Sequence, residues 1–223
     1  MHLLLTNNFI KRLITILTLG LGFWLVFLYL PPIYFSGILF TILFLIILFE
    51  WKQFFTITKP WFWVIMPFYP ILPFALLIHL NHMPKYHDLL FILFVLVFSF
   101  DTGGYVVGTL LGKYKIHPFV SPHKTWEGVA GGYIFACISL TLLFWEQKIS
   151  KPWWLILLFS FIVCSLSLAG DLFESWLKRR AHIKNSGKFL PGHGGFLDRF
   201  DGILFAVFFF YFLRNYLVNL FYY

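Results

Sequence analysis

Apolar residues dominate this chain in seven long runs, and polar residues separate these runs only briefly. Runs of such length are typical of helices that cross a membrane, because a spanning helix needs about 20 apolar residues. The runs predict spans at 13–30, 33–49, 61–80, 88–111, 128–145, 153–172 and 200–220. We therefore predict an all-α fold, a polytopic transmembrane helical bundle of about seven spans.

Two of these runs carry further local signals. The first run follows the basic pair Lys11-Arg12, as in a signal peptide, but Pro31-Pro32 follows it instead of a small-residue cleavage site. We expect it to be retained as the first helix. The third run contains Pro67, Pro70 and Pro73, and proline removes a backbone donor and clashes with the preceding turn. That helix is therefore predicted to be kinked or broken.

Composition supports the membrane prediction. Of the 223 residues, 60% are hydrophobic and only 12% are charged, whereas about 25% are charged in a soluble domain. A soluble all-α core is the alternative, and this composition argues against it. No low-complexity linker interrupts the chain; we divide it into N-terminal transmembrane helices (1–90) and a second transmembrane domain (91–223).

The basic residues predict how the spans are oriented. With the N-terminus inside, thirteen lysines and arginines fall in cytoplasmic segments, and only Lys85, Lys148 and Lys151 fall on the opposite side. Short loops on the cytoplasmic side are enriched in basic residues. The predicted topology places the two longest polar loops, 112–127 and 173–199, on one cytoplasmic face. Attraction to anionic lipid headgroups explains part of this charge, but it does not explain why acids cluster there too.

Several acids lie within or beside apolar runs, where ionisable groups are costly and are functional by default. Asp101 sits inside the fourth run, and it either pairs with a lysine or lines a polar cavity that opens to the cytoplasm. Residues Asp171, Glu174, Ser175 and Lys178 follow one another at spacings of three and four, so a helix would place them on one face. That stripe is either a ladder of ion pairs or the wall of the same cavity.

The segment "PGHGGFLDRFDG" combines glycines with two acids. A glycine-rich backbone that leads into a helix N-terminus can present N–H groups to a phosphate. Asp198 and Asp201 are three residues apart, and carboxylates this close repel unless a cation or proton intervenes; Mg²⁺ is commonly held by such groups together with substrate phosphates. The alternative is an acidic cap on the helix dipole, which suits Asp198 better than Asp201.

Two further features keep alternatives open. His193 is a candidate general acid or base, a ligand, or a hydrogen-bonding loop residue. In "SPHKTWEG" (121–128), Ser121, Lys124 and Glu127 precede the fifth run; Lys124 is predicted to contact a phosphate, and the alternative is a turn followed by a helix cap.

Taken in order, these motifs resemble a known family. The run Ser175-Trp176-Leu177-Lys178-Arg179, then Lys184, then "LPGHGGFLDRFD" is similar to the signature of phosphatidate cytidylyltransferases, the CDP-diacylglycerol synthases. The earlier "DTGGYVVGTLLGK", "SPHKTWEGVAGG" and "GDLFES" match the same family's pattern. The resemblance covers about residues 98–203, and residues 1–90 match only in being apolar.

The resemblance implies an integral membrane enzyme that condenses CTP with phosphatidate to CDP-diacylglycerol and pyrophosphate, with Mg²⁺ or Mn²⁺ as cofactor. It implies a bacterial inner membrane with the active site on the cytoplasmic side, and no nucleic-acid partner; pairing into a homodimer is left open. We expect the catalytic residues to be Lys178, Arg179, Lys184, His193, Asp198, Arg199 and Asp201, with Asp198, Asp201 and Asp171 as metal ligands. The candidate substrate contacts are Asp101, Ser121, Lys124, Glu127, Glu174, Ser175, Asn185, Gly194 and Gly195.

One position departs from the family pattern. Where the family has Lys-Asp, this chain has Lys184-Asn185, so a charge expected near the metal is missing. Asparagine keeps a carbonyl oxygen that a hard cation accepts. This departure leaves an inactive homologue as one alternative. A related CTP-dependent membrane enzyme acting on a polyprenol or isoprenoid lipid is a separate alternative.

Overall fold

Helices make up most of the chain, which confirms the predicted all-α class. The computed structural model describes residues 20–55, 58–187, 189 and 194–222. In chain order its elements are α1 (Gly20–Tyr29), α2 (Pro32–Phe54), α3 (Pro60–His82), α4 (Pro84–Leu111), β1 (Lys115–His117), β2 (Ser121–Thr125), α5 (Trp126–Glu146), α6 (Trp153–Arg180), α7 (Leu197–Phe212) and α8 (Arg214–Tyr222).

The described residues contain five helices, α2 to α6, that are long and apolar enough to cross a membrane. Helices α7 and α8 add a sixth span if the pair is counted as one, although a bend of 79° separates them. The predicted span 200–220 is therefore not one straight helix. The predicted span 13–30 lies partly outside the described residues, and its described part is the short helix α1. A multi-pass membrane protein is supported; the count of seven spans is not confirmed.

Prolines set the beginning of three helices. Pro32, Pro60 and Pro84 each occupy the first position of α2, α3 or α4, where the missing N–H would have no intrahelical partner and the fixed φ suits a helix. The predicted kink in α3 is also confirmed. A π-helical turn at Pro67–Ile71 contains Tyr69 with non-helical φ/ψ angles of −152° and 101°.

Contacts divide the chain into two compact units. The first unit contains the described residues as far as His82 together with Leu177–Phe200. The second contains Met83–Trp176 and the described residues from Asp201 onwards. The division at residue 90 that we inferred from the sequence stays a prediction.

In the first unit, polar bonds hold α2 and α3 together within an apolar core. The Asn81 side-chain amide donates to the Pro32 carbonyl oxygen at 2.7 Å and to Ser36 Oγ at 2.9 Å. The fully buried Trp51 donates from Nε1 to the Phe62 carbonyl oxygen at 3.1 Å. Just before Trp51, α2 contains a π-helical turn at Ile46–Glu50. The Asn81 bonds hold the beginning of α2, and the Trp51 bond holds its end, which carries Glu50.

In the second unit, α4 and α5 approach closely because glycines face each other. A Cβ atom on Gly128 would lie 2.9 Å from the Gly104 carbonyl oxygen, and one on Gly132 would lie 2.7 Å from the Phe100 ring. Small residues at such contacts are the usual means by which membrane helices pack.

The two predicted polar loops contain regular structure. Loop 112–127 folds into an antiparallel hairpin of β1 and β2, with Lys115 opposite Thr125. The hydropathy pattern did not predict these strands because they are short and polar. Within 173–199, the first eight residues continue α6 to Arg180. The basic residues Lys178–Arg180 of its last turn complement the negative end of the helix dipole.

Candidate functional site

Asp198 is the centre of a hydrogen-bonded cluster in the first unit. Its Oδ1 atom pairs with the Lys178 ammonium at 2.7 Å. Its Oδ2 atom accepts from the Ser186 backbone N–H and Oγ, each at 3.0 Å, and from the Gly195 N–H at 2.8 Å. Both side chains of the ion pair are largely buried, with 12% of Lys178 and 8% of Asp198 exposed. Asp198 therefore connects the end of α6 to both sides of the glycine-rich segment.

A second carboxylate reaches the same segment from α2. Glu50 is fully buried, and its Oε2 atom accepts from Ser186 Oγ at 3.0 Å and from the Leu197 N–H at 2.9 Å. Its Oε1 atom accepts from the Phe196 N–H at 2.7 Å. Ser186 has one hydroxyl hydrogen, so at any moment it donates to either Glu50 or Asp198. The two carboxylates thus hold Ser186 and the start of α7 together.

The glycines of this segment have specific steric roles. Gly194 has a φ of +85°, and a Cβ atom there would collide with Asp198 Oδ2. A Cβ atom on Gly195 would lie 2.6 Å from Glu50 Cδ. The N–H groups of Gly195, Phe196 and Leu197 all donate to these carboxylates. In this structure, therefore, the anions at the N-terminus of α7 are carboxylates of the protein itself, and the phosphate contacts of Gly194 and Gly195 stay predictions.

The polar stripe of α6 continues into the second unit, where it meets the hairpin. Lys124 Nζ, on β2, forms an ion pair with Asp171 Oδ2, and Ser175 Oγ donates to Asp171 Oδ1 at 3.3 Å. Glu174 is fully buried on the same helix. The structure confirms that one helix carries all four residues of the predicted stripe, Asp171, Glu174, Ser175 and Lys178.

The predicted residues of the hairpin take structural positions. Both carboxylate oxygens of Glu127 lie 3.2 Å from the Tyr114 nitrogen, so Glu127 accepts the N–H at the base of the hairpin. Thr125 Oγ1 accepts from the Gly128 N–H at 3.1 Å and thereby caps α5, as expected of threonine at this position. Ser121 begins β2. A turn followed by a helix cap, which the sequence left open, is therefore present.

Asp201 and Asp101 both belong to the second unit. Asp201 is buried, with 8% of the residue exposed, and its Oδ1 atom accepts from the Gly202 N–H at 2.7 Å. Asp101 lies exposed on α4. Neither the metal contact predicted for Asp201 nor the cavity predicted for Asp101 is tested by these contacts.

The remaining predicted residues flank the Asp198 cluster in the chain. Arg179, Lys184, Asn185 and Arg199 are exposed, and all belong to the first unit. His193 lies outside the described residues, so its role stays a prediction.

Sequence reasoning missed Glu50. The candidate acids of the sequence analysis do not include Glu50, which directly follows the second apolar run in "TILFLIILFE". A carboxylate at the end of a spanning run was the available signal. Its partners lie 136 to 147 residues away in the chain, so no local pattern connects it to them.

Comparison with known proteins gives consistent matches. Residues 3–217 match the model of the cytidylyltransferase family. The chain is 39% identical to a phosphatidate cytidylyltransferase of Bacillus subtilis over 163 residues, which are 73% of this chain and 61% of that protein. It is 43% identical over 114 residues, or 51% of this chain, to two further proteins of the same name. One is from Staphylococcus haemolyticus, where the match covers 44% of the protein, and the other is from Mycobacterium leprae, where it covers 36%. The matches thus span less than two thirds of each relative's length.

Proposed function

The chain belongs to the cytidylyltransferase family, and on that basis we propose that it transfers the cytidylyl group of CTP to phosphatidate. The products are CDP-diacylglycerol, which stays in the membrane, and pyrophosphate. The observation that carries this proposal is the match along 73% of the chain to a relative named phosphatidate cytidylyltransferase. That match agrees with the signature in residues 175–201.

The reaction is a substitution at phosphorus. A phosphate oxygen of phosphatidate forms a bond to the α-phosphorus of CTP, while the bond from that phosphorus to the bridging β-phosphate oxygen breaks. Pyrophosphate leaves with the electron pair of the broken bond. Because both reactants are polyanions, catalysis depends mainly on positioning them and on neutralising their charge.

Basic side chains of this chain suit that task. We assign phosphate contacts to Lys178, Arg179, Lys184 and Arg199, with Lys124 assisting. The support is that the first four belong to one compact unit and that three of them are exposed. The ion pair with Asp198 restricts the position of the Lys178 ammonium.

We propose Mg²⁺ or Mn²⁺ as cofactor, with Asp198, Asp201 and Asp171 as candidate ligands. The donor chemistry fits, because carboxylate oxygens are the ligands that hard cations prefer. Among the described residues no three His, Cys, Asp or Glu side chains form a ready-made metal cluster. Mg²⁺ does not require one, because one or two carboxylates together with substrate phosphates usually complete its shell. When bound, the cation would neutralise charge on the nucleotide phosphates.

We further propose that the active site faces the cytoplasm at a bacterial inner membrane. The support is the asymmetry of basic residues and the origin of the relatives, which are bacterial. CTP then reaches the site from the cytoplasm, the side on which we place the exposed cations.

The decisive experiment is a product assay. Detergent-purified protein is incubated with phosphatidate, labelled CTP and Mg²⁺, and the lipids are separated by thin-layer chromatography. Labelled CDP-diacylglycerol that depends on phosphatidate and is lost with a chelator supports the proposal. Label on a polyprenol product instead, or no labelled lipid with any acceptor, would overturn it.

Asp201 provides the matching variant test. We expect Asp201→Ala to lower turnover by about 100-fold or more, the scale of losing a group that stabilises transition-state charge, while the protein still inserts into membranes. The control is Asp88→Ala, which removes an exposed carboxylate from the first turns of α4 and should leave turnover unchanged. Near-normal turnover of Asp201→Ala would refute its assignment.

A further inference from the structure

The start of α7 is capped by a carboxylate from a distant helix. The first N–H groups of a helix have no partner within the helix, and in α7 the Phe196 and Leu197 N–H groups donate to Glu50 at 2.7 and 2.9 Å. A negative charge at this position also interacts favourably with the helix dipole. Glu50 therefore caps the start of α7 from α2, in addition to Asp198 in the helix's own first turn.

The same carboxylate closes the neck of the glycine-rich segment. We define the neck as Ser186 on one side and Gly195–Leu197 on the other. Glu50 accepts from both sides, through Ser186 Oγ and the two N–H groups, and Asp198 does the same through Ser186 and Gly195. Gly187 makes room for the carboxylate, since a Cβ atom there would lie 2.9 Å from Glu50 Oε1.

The end of α2 is held firmly enough to act as a support. Trp51, the next residue, is fully buried and bonded to α3. On the other side, the Phe49 ring contacts the Phe189 ring at a centroid distance of 5.3 Å, and Phe189 in turn contacts Phe196 at 5.8 Å. The π-helical turn that ends at Glu50 is a distortion often found at functional sites.

We propose that Glu50 is a positioning residue: it fixes the neck, and with it the orientation of Asp198 and Lys178, for the transfer reaction. This inference rests on the proposed function, because it assigns Glu50 a role in the same site. It gives α2, a helix outside the signature, a role in the same site.

The test combines kinetics with hydrogen exchange on the full chain in detergent. Glu50→Gln keeps the shape and one acceptor oxygen but loses the charge and one acceptor, and Glu146→Gln is the control, since Glu146 is exposed at the end of α5. For Glu50→Gln we expect kcat to fall about tenfold or more while the KM for phosphatidate stays within about twofold, because small misplacements of catalytic groups are costly. Peptides containing Phe196 and Leu197 should exchange about tenfold faster, with β1, β2 and α5 unchanged.

Glu50→Asp, one methylene shorter, should fall between wild type and Glu50→Gln in both measurements. If Glu50→Gln does not fold, Glu50→Asp and Ser186→Ala carry the test. Wild-type kcat in these variants, or unchanged exchange at Phe196 and Leu197, would overturn the positioning role. Absence of cytidylyl transfer by the wild-type protein would instead refute the proposed function, and the exchange measurement would still decide whether Glu50 holds the neck.

Discussion

At the scale of single residues, the carboxylates have distinct environments that their spacing alone does not reveal. Asp198 accepts four hydrogen bonds from Lys178, Ser186 and Gly195, so it organises its surroundings as well as serving as a candidate ligand. Asp171 has its own lysine, Lys124. Each of these two predicted metal ligands is thus paired with a cation of the protein, which keeps its charge compensated.

The Lys178–Asp198 pair can be tested through stability. Lys178→Met keeps the apolar stem but leaves a largely buried carboxylate without its cation, which costs about 3 kcal/mol or more. We expect the melting temperature in detergent, followed by tryptophan fluorescence, to fall by about 6 °C or more. Lys184→Met is the control, because Lys184 is exposed; it should change the melting temperature by less than about 2 °C. Equal shifts in the two variants would contradict a structural role for the pair.

A substitution at Asn185 tests whether the departure from the family pattern affects metal binding. The residue is exposed, so a charge introduced there can reach a bound cation without a burial penalty. We expect Asn185→Asp to lower the Mg²⁺ concentration needed for half-maximal activity by roughly fivefold, since affinity for hard cations rises with ligand charge. Asn219→Asp adds the same charge at an exposed position of α8 and should have no effect. An unchanged Mg²⁺ requirement in Asn185→Asp would show that Asn185 is remote from the metal.

At the scale of elements, local sequence signals explain where most helices begin. Proline starts α2, α3 and α4, and threonine caps α5. These signals act within one turn and can be recognised from sequence. The start of α7 is different, because Glu50 on α2 accepts from the Leu197 N–H, and no residue pattern around Leu197 indicates that partner.

The cap of α5 gives a prediction at this scale. Thr125→Val keeps the shape of a side chain that is 2% exposed but removes the acceptor of the Gly128 N–H, which costs about 1 kcal/mol. The melting temperature should fall by about 3 °C. The control, Thr109→Val, makes the same change at an exposed site of α4, where the hydroxyl donates to the Tyr105 carbonyl oxygen. It should leave the melting temperature nearly unchanged. A similar loss in both would mean that the cap contributes nothing specific.

At the scale of the whole molecule, the described residues form a helical bundle with five helices long and apolar enough to cross a membrane, or six if the bent pair counts as one, as in a multi-pass membrane protein. For α2 to α5, hydropathy located the ends to within about five residues, because burial in lipid requires a continuous apolar stretch, whereas α6 continues past the predicted end at residue 172 to Arg180. Hydropathy did not locate the bend of 79° between α7 and α8. The apolar run continues through the bend, so hydropathy alone gives no sign of it.

The orientation of the spans is testable on α5 alone. In a background without Cys137 and Cys164, single cysteines replace Phe119, at the exposed tip of the hairpin before α5, or Lys148, after its end. We expect a membrane-impermeant maleimide to label Lys148→Cys in intact cells and Phe119→Cys only after the membrane is opened, because the basic loops favour the cytoplasm. The reverse pattern would invert the proposed topology, and labelling of both in intact cells would show that α5 does not cross.

By itself, the sequence determined the membrane class, the approximate spans and the motif that identifies the family, because hydropathy, proline positions and motif spacing are local along the chain. Only the tertiary structure decided which side chains meet. Glu50 contacts Ser186 and the start of α7 across 136 to 147 residues, and Lys124 pairs with Asp171 from a hairpin that hydropathy did not predict. Such contacts depend on how helices pack, and packing is set by the shapes of many side chains together, which no local pattern contains.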